Sequence, residues 1–201
     1  MKTLKFQLLA AAMFACVTAF AQGGPNGPPA NPGTATNTPN TNVPSYNPNR
    51  GSYNADSYVL QQGSNQYANV DQTGTQNTAD IIQNGAGGNN AYQKQIGQGG
   101  QRNVEYIEQS GTRSMAQQTQ NGGQGNRASI MQGSGDFNYA TQTQTGDRNS
   151  GFIEQGGSRN QAIQAQSLYD NYASTRQTTS DNWSTIDQQQ GSTNRATVYQ
   201  H

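Results

Sequence analysis

From residue 55 onward, polar and apolar positions alternate in short segments that all read alike. In "NRASIMQ" (126–132) and "NYATQTQ" (138–144), an Asn, an Ala, an apolar or amide residue and a Gln stand at positions 1, 3, 5 and 7. A period of two places those four side chains on one face of a strand, whereas on a helix they would scatter around the axis. The pattern therefore predicts strands. It recurs thirteen times, with starts mostly 11 or 12 residues apart, at Ala55, Gln66, Asn77, Asn89, Asn103, Ser114, Asn126, Asn138, Asn149, Asn160, Asn171, Asn182 and Asn194. Such a fixed spacing marks a repeat architecture.

Position 7 never varies. It is Gln61, Gln83, Gln109, Gln132, Gln155, Gln177 and Gln200 in the odd-numbered units, and Gln72, Gln95, Gln120, Gln144, Gln166 and Gln188 in the even ones. Position 3 is small in twelve of the thirteen units, as expected where two backbones approach closely. Position 5 splits the units into two kinds. Odd units carry Val59, Ile81, Ile107, Ile130, Ile153, Thr175 and Val198, all β-branched; even units carry Val70, Gln93, Gln118, Gln142, Gln164 and Ile186. The true repeat is a pair of units, about 22 to 26 residues long, with the Val and Ile residues forming an apolar seam.

Between units, outward polar residues and a Gly recur (Gly63, Gly74, Gly85, Gly97, Gly111, Gly122, Gly146, Gly157), supplying the positive φ expected of a tight reversal. Strand, turn, strand, turn makes one rung. Rungs stacked at about 4.8 Å place like strands over like, so the expected fold is all-β, a β-solenoid of two facing parallel sheets in a cross-β arrangement. Each Asn and Gln then sits above its own copy. A side-chain amide carries both donor and acceptor, so a column of amides satisfies itself in a dry interior at any length. The unit-opening Asn77, Asn89, Asn103, Asn126, Asn138, Asn149, Asn160, Asn171, Asn182 and Asn194, with the thirteen Gln, are the candidate self-assembly ladders.

Two places strain this pattern. Glu105 occupies the small third position, so either the register slips there or a carboxyl sits in a narrow slot. The turn glycine also gives way to Leu168, Thr179 and Gln190, so the last rungs are expected to turn differently.

Composition sharpens the picture. Of 201 residues, 30% are hydrophobic and 11% charged, with Lys+Arg equal to Asp+Glu, too little apolar matter for a large oily core. Low hydrophobicity signals disorder when net charge is high, and here it is zero; a neutral Gln/Asn/Gly/Ser/Thr-rich chain is prone to pair with itself. Scattered arginines give no basic cluster for phosphates, which argues against a nucleic-acid partner. At the other end, "MKTLKFQLLAAAMFACVTAFAQ" places Lys2 and Lys5 before an apolar run and closes on Ala19-Phe20-Ala21. This reads as a secretory signal (1–21) cleaved between Ala21 and Gln22, because the run is interrupted and shorter than a bilayer needs; no stable membrane insertion is expected. All seven prolines fall between Pro25 and Pro48, which separates a flexible leader (22–53) from a region (54–201) free to form continuous sheet.

Candidate chemistry is sparse. The lone His is His201 and the lone Cys is Cys16 inside the signal, so no nucleophile, base and orienter come together, and no catalytic residue, metal site or cofactor is assigned. Asp71, Asp80, Glu108, Glu154 and Asp187 fall at outward positions and are expected on a solvated face.

The repeated N-x-A-x-x-x-Q-x-G pattern, behind a secretory signal and a polar Gly/Pro/Asn leader, resembles curlin, the subunit family of bacterial curli, a functional amyloid of the biofilm matrix. The resemblance implies homopolymeric fibres at the cell surface that serve adhesion and cell aggregation. It also implies export through a dedicated outer-membrane secretion channel and nucleation by a related minor subunit. The regular last unit, "NRATVYQ", favours the major subunit over the nucleator. The competing reading is a monomeric ice- or glycan-binding solenoid, suggested by outward Thr141, Thr143, Thr185 and Thr197 and by scattered aromatics. Their irregular placement from rung to rung suits a lattice-matching face poorly.

Overall fold

The computed structural model describes residues 55–74, 76–97 and 103–201. The expected signal, its Ala21–Gln22 cleavage site, the leader and Cys16 lie outside the described residues. Thirteen strands follow in order: β1 (Ala55–Gln61), β2 (Tyr67–Thr73), β3 (Asn77–Gln83), β4 (Asn90–Ile96), β5 (Val104–Gln109), β6 (Met115–Asn121), β7 (Arg127–Gln132), β8 (Tyr139–Thr145), β9 (Ser150–Gln155), β10 (Gln161–Gln166), β11 (Tyr172–Gln177), β12 (Trp183–Gln188) and β13 (Arg195–Gln200). The odd strands form one seven-stranded sheet, β1-β3-β5-β7-β9-β11-β13, and the even strands a second, β2-β4-β6-β8-β10-β12. Every pairing is parallel and joins strands two apart in sequence. The chain is an all-β solenoid of two facing parallel sheets.

Register follows from the side-chain period. Gln83 pairs with Gln109, Gln109 with Gln132 and Gln132 with Gln155, so position 7 stays in line from rung to rung. A slip by one residue would turn every amide outward and every outward side chain in. The interior is thin. Ile81, Ile107, Ile130 and Ile153 are fully buried, and Ala68, Ala91, Ala116, Ala140 and Ala162 from the other sheet join them in one apolar cluster, with Val59 and Val70 packed at its edge.

Glu105 resolves in favour of the narrow slot. It pairs in register with Ala79 on one side and Ala128 on the other, so nothing slips. Its carboxyl is fully buried, and neither oxygen accepts a well-formed hydrogen bond. Burial holds its pKa well above the ordinary carboxylate value, and the nearby Gln120 main chain opposes this only in part.

The turns meet the sequence expectation in part: Gly63, Gly74, Gly122 and Gly146 have positive φ. The residue just before each unit is left-handed throughout the described turns, and in most it is not glycine: Asn65, Gln76, Arg113, Phe137, Arg148, Arg159, Asp170, Asp181 and Thr193 all have φ between 53° and 63°. Gly85, Gly111 and Gly157 are absent from the positive-φ set; their role is close approach. A Cβ on Gly85 would sit 1.8 Å from the Gly111 carbonyl oxygen of the next rung, and one on Gly111 equally close to Gly135 O. That column ends at Thr179, above which the described chain places no further turn, so a side chain fits. The late turns were expected to differ, yet Leu168 adopts φ 69° where Gly146 has 97°, so the two reversals share a left-handed residue. Of the three late turns only the last is longer, by one residue, with Gly191 at φ 85°.

Among the outward carboxylates, Asp80 is the exception to a solvated face. It is 7% exposed, in register between Tyr58 and Tyr106. Glu154 pairs with Arg176 one rung on at 3.2 Å, and Glu108 accepts a hydrogen bond from the Tyr106 hydroxyl at 2.8 Å.

Candidate functional site

The position-7 glutamines form two continuous ladders. In the odd sheet Gln61 Nε2 donates to Gln83 Oε1 at 2.7 Å, and the chain of bonds runs on through Gln109, Gln132, Gln155 and Gln177 to Gln200, each 2.7–2.9 Å. In the even sheet Gln72, Gln95, Gln120, Gln144, Gln166 and Gln188 are joined likewise at 2.7–3.1 Å. The second amide proton reaches across the seam. Gln83 Nε2 donates to Tyr67 O, Gln95 Nε2 to Thr78 O and Gln177 Nε2 to Gln161 O, all at 2.9–3.0 Å. Each amide therefore ties its own sheet along the axis and the two sheets to each other. A buried amide left without these partners would be destabilising by about 1–3 kcal/mol.

A third ladder lies at position 5 of the even sheet, where Gln93, Gln118, Gln142 and Gln164 link at 2.9–3.0 Å. These glutamines were visible in the sequence as the odd–even alternation but were not among the candidate ladder residues. The ladder stops at both ends. Val70 lies beneath Gln93, whose Oε1 is buried without a partner; beyond Gln164 comes Ile186, and the Gln164 amide turns instead to Thr175 Oγ1 at 3.0 Å.

The asparagines behave differently from the expected amide-on-amide stack. Asn103 Oδ1 accepts the main-chain N–H of Asn126, Asn126 Oδ1 that of Asn149, Asn149 Oδ1 that of Asn171 and Asn171 Oδ1 that of Asn194, at 2.9–3.1 Å. The even side repeats this from Asn89 to Ser114, Asn138 to Asn160 and Asn160 to Asn182. Most Nδ2 groups donate to turn carbonyls, as Asn126 does to Gly146 O at 2.6 Å and Asn149 to Leu168 O at 2.9 Å, whereas those of Asn138 and Asn160 are buried without a partner. A side chain as short as Asn cannot reach its copy while also closing the turn. It serves as a clamp that fixes where each strand begins. Asn77 is buried and donates to Thr73 O at 3.0 Å.

All three glutamine ladders point the same way: Nε2 donates toward the rung nearer the C-terminus. One end of the solenoid therefore presents acceptors and the other donors. Gln61 Oε1, in the first rung, is buried and has no partner, whereas Gln200 Nε2 and Gln188 Nε2, in the last, donate only to Trp183 O and Tyr172 O at 3.1 Å. Among the described residues, β1 and β2 at one end and β12 and β13 at the other each have a sheet neighbour on one side only. Inward Val59 and Val198 are correspondingly only half-buried.

The curlin-associated repeat family matches residues 170–201, which hold the last three strands. The chain is curlin-like. The match falls where the turn glycines are fewest, and the register carries the same unit from this curlin repeat back through ten earlier strands. No curated protein and no solved structure matches the chain. The curlin repeat and the solenoid are structural features and include no catalytic constellation among the described residues.

Proposed function

We propose that this curlin-like protein is a secreted structural subunit that polymerises head to tail into extracellular, curli-type amyloid fibres, serving adhesion and cell aggregation in a biofilm matrix. The observation that carries the reading is the pair of open ends. Among the described residues each presents unpaired strand edges, and the orphaned Gln61 acceptor at one end complements the spare Gln188 and Gln200 protons at the other. Such an end cannot satisfy itself, and a head-to-tail contact of this kind does not close, so it extends. The match to the curlin-associated repeat supports the same reading. By the same resemblance, an outer-membrane secretion channel recognises the leader, and a minor nucleator starts growth. The regular last strand suits the major subunit.

The test is seeded assembly of the purified protein. Fibres with reflections at about 4.7 and about 10 Å, growing without lag from sonicated seeds, are the expected result. A chain that stays monomeric by light scattering for days at high concentration would overturn it and favour the monomeric surface-binding solenoid.

A further inference from the structure

The number of strands raises a question about the joint between subunits. The thirteen described strands make six and a half rungs, so the described solenoid ends on the odd sheet, at β13, half a rung above β12. If the next subunit placed its β1 on β13, odd sheet on odd sheet, its β2 would stand two rungs above β12. That joint leaves a hole one strand wide in the even sheet, with backbone groups exposed on both of its walls.

We propose that successive subunits join with exchanged sheets: β1 of the incoming copy pairs with β12, and its β2 pairs with β13, so that each subunit is turned half a revolution about the fibre axis relative to the last. A half-turn carries an odd strand to the opposite side and reverses its direction, so incoming β1 runs parallel to β12, as every in-sheet pairing in the subunit does. The two sheets then continue without a gap. The inference rests on head-to-tail polymerisation and adds the geometry of the joint.

Position 5 carries the argument. Inside the even sheet it is Gln four times in succession, and in the odd sheet it is Ile from β3 to β9, so exchanging sheets in mid-molecule would set Gln on Ile. At the ends the difference vanishes. Val59 and Val70 occupy it in β1 and β2, and Ile186 and Val198 in β12 and β13. Exchanged sheets stack Val59 on Ile186 and Val70 on Val198, apolar on apolar in both. Only this joint needs Val70 and Ile186; within the subunit Val70 is unfavourable, because it leaves Gln93 Oε1 buried and unpaired. At position 7 the exchange places the spare Gln188 proton beneath the orphaned Gln61 Oε1 and that of Gln200 beneath Gln72, continuing both ladders in the donor direction of the subunit.

The two joints differ in repeat length. Exchanged sheets give six and a half rungs per subunit, a rise of about 31 Å with a half-turn; the direct joint gives seven, about 34 Å without one, at about 4.8 Å per rung. Helical reconstruction of fibres of the unsubstituted full chain is the first test, and a rise near 34 Å without the half-turn overturns the proposal. The second uses cysteine pairs in a Cys16→Ser background. Asn69→Cys with Thr197→Cys should give a ladder of oxidised multimers under denaturing conditions, because paired positions on neighbouring strands lie within disulfide reach. Tyr58→Cys with Thr197→Cys should give none, and the reverse outcome overturns the exchanged joint. The third is Val70→Gln, which should restore a donor to Gln93 yet slow seeded elongation at least tenfold; unchanged or faster elongation overturns the proposal. If the unsubstituted chain forms no fibres, the failure lies with the polymerisation reading, whereas fibres with the direct joint sink only this inference.

Discussion

The two sheets share a rung, a register and a ladder at position 7, but they fill position 5 in opposite ways. The odd sheet sets Ile81, Ile107, Ile130 and Ile153 in a column, and the even sheet faces it with Gln93, Gln118, Gln142 and Gln164. All eight are at most 2% exposed. Burial alone therefore does not decide residue type here. An Ile column is stabilised by leaving water and by contact along its length. A Gln column is stable only because its amides bond to their copies along the axis and most also reach a carbonyl across the seam, as Gln118 does with Tyr106 O at 3.0 Å. The first tolerates a broken neighbour; the second transmits the damage to both adjacent rungs.

The two largest effects should follow from breaking either column. Ile130→Ala leaves a cavity between Ile107 and Ile153 that two hydrogen-bonded strands cannot collapse to fill, and should destabilise the solenoid by about 2–5 kcal/mol. The guanidinium midpoint of the fibre or of the isolated subunit checks it. Gln142→Leu breaks the facing column at nearly constant volume. It removes the acceptor of Gln118 and the donor to Gln164, each a buried bond of 2.9 Å, and should be destabilising by about 1–3 kcal/mol for each orphaned group. If the Leu were as stable as the Gln, the even sheet would owe nothing to its ladder, and the contrast between the sheets would be lost.

Glu105 sharpens the comparison from the small third position. Its folded pKa lies above the ordinary 4.5, so in acid both folded and unfolded chains hold the proton and no penalty arises. As pH rises past that value the unfolded chain ionises first, and stability falls until the folded pKa is passed. Glu105→Ala should therefore be more stable than the parent at neutral pH, with the gap narrowing as pH falls toward 4.5. Paired denaturation curves across pH measure that gap directly, and a gap independent of pH would mean that the cost is steric alone.

How much of this was legible beforehand depends on the length of the side chain. Period-two alternation identified strands, and the Gln at position 7 identified two columns, because a Gln side chain spans one 4.8 Å rung only if its copy lies in line. The Asn clamps were not legible, since the same amide on a shorter stem reaches the main chain instead, and composition does not distinguish the two. The turn conformations were hidden for a related reason. Residues as unlike as Arg113, Phe137 and Asp170 take the left-handed position before each unit, so the glycines marked only part of the turn: Gly63, Gly74, Gly122 and Gly146 have the expected positive φ, but Gly85, Gly97, Gly111 and Gly157 do not. Their real constraint, the carbonyl of the next rung 1.8 Å from an added Cβ at Gly85, is a contact between residues far apart in sequence. The third glutamine ladder was in view as an alternation, but its breaks at Val70 and Ile186 gained meaning only once the strands were counted by sheet.

The smallest effect should come from the turn edges, where charge replaces amide. Arg148 and Asp170 form a two-bonded pair at 2.7 and 2.8 Å, and Arg159 and Asp181 another at 2.6 and 2.7 Å, each spanning one rung as a glutamine bond does. The hydrogen bonds raise the pKa of each Arg and lower that of each Asp, so both pairs are ionised at neutral pH. They look like ladder rungs drawn in ions. Water reaches them, however: the Arg159 and Asp181 side chains are 63% and 60% exposed, and exposed pairs are screened and add little. Arg159→Ala should therefore leave the denaturation midpoint within error of the parent, in low salt and high alike. A salt-sensitive loss approaching that of Gln142→Leu would show instead that the turn edges hold the rungs together as firmly as the dry seam does.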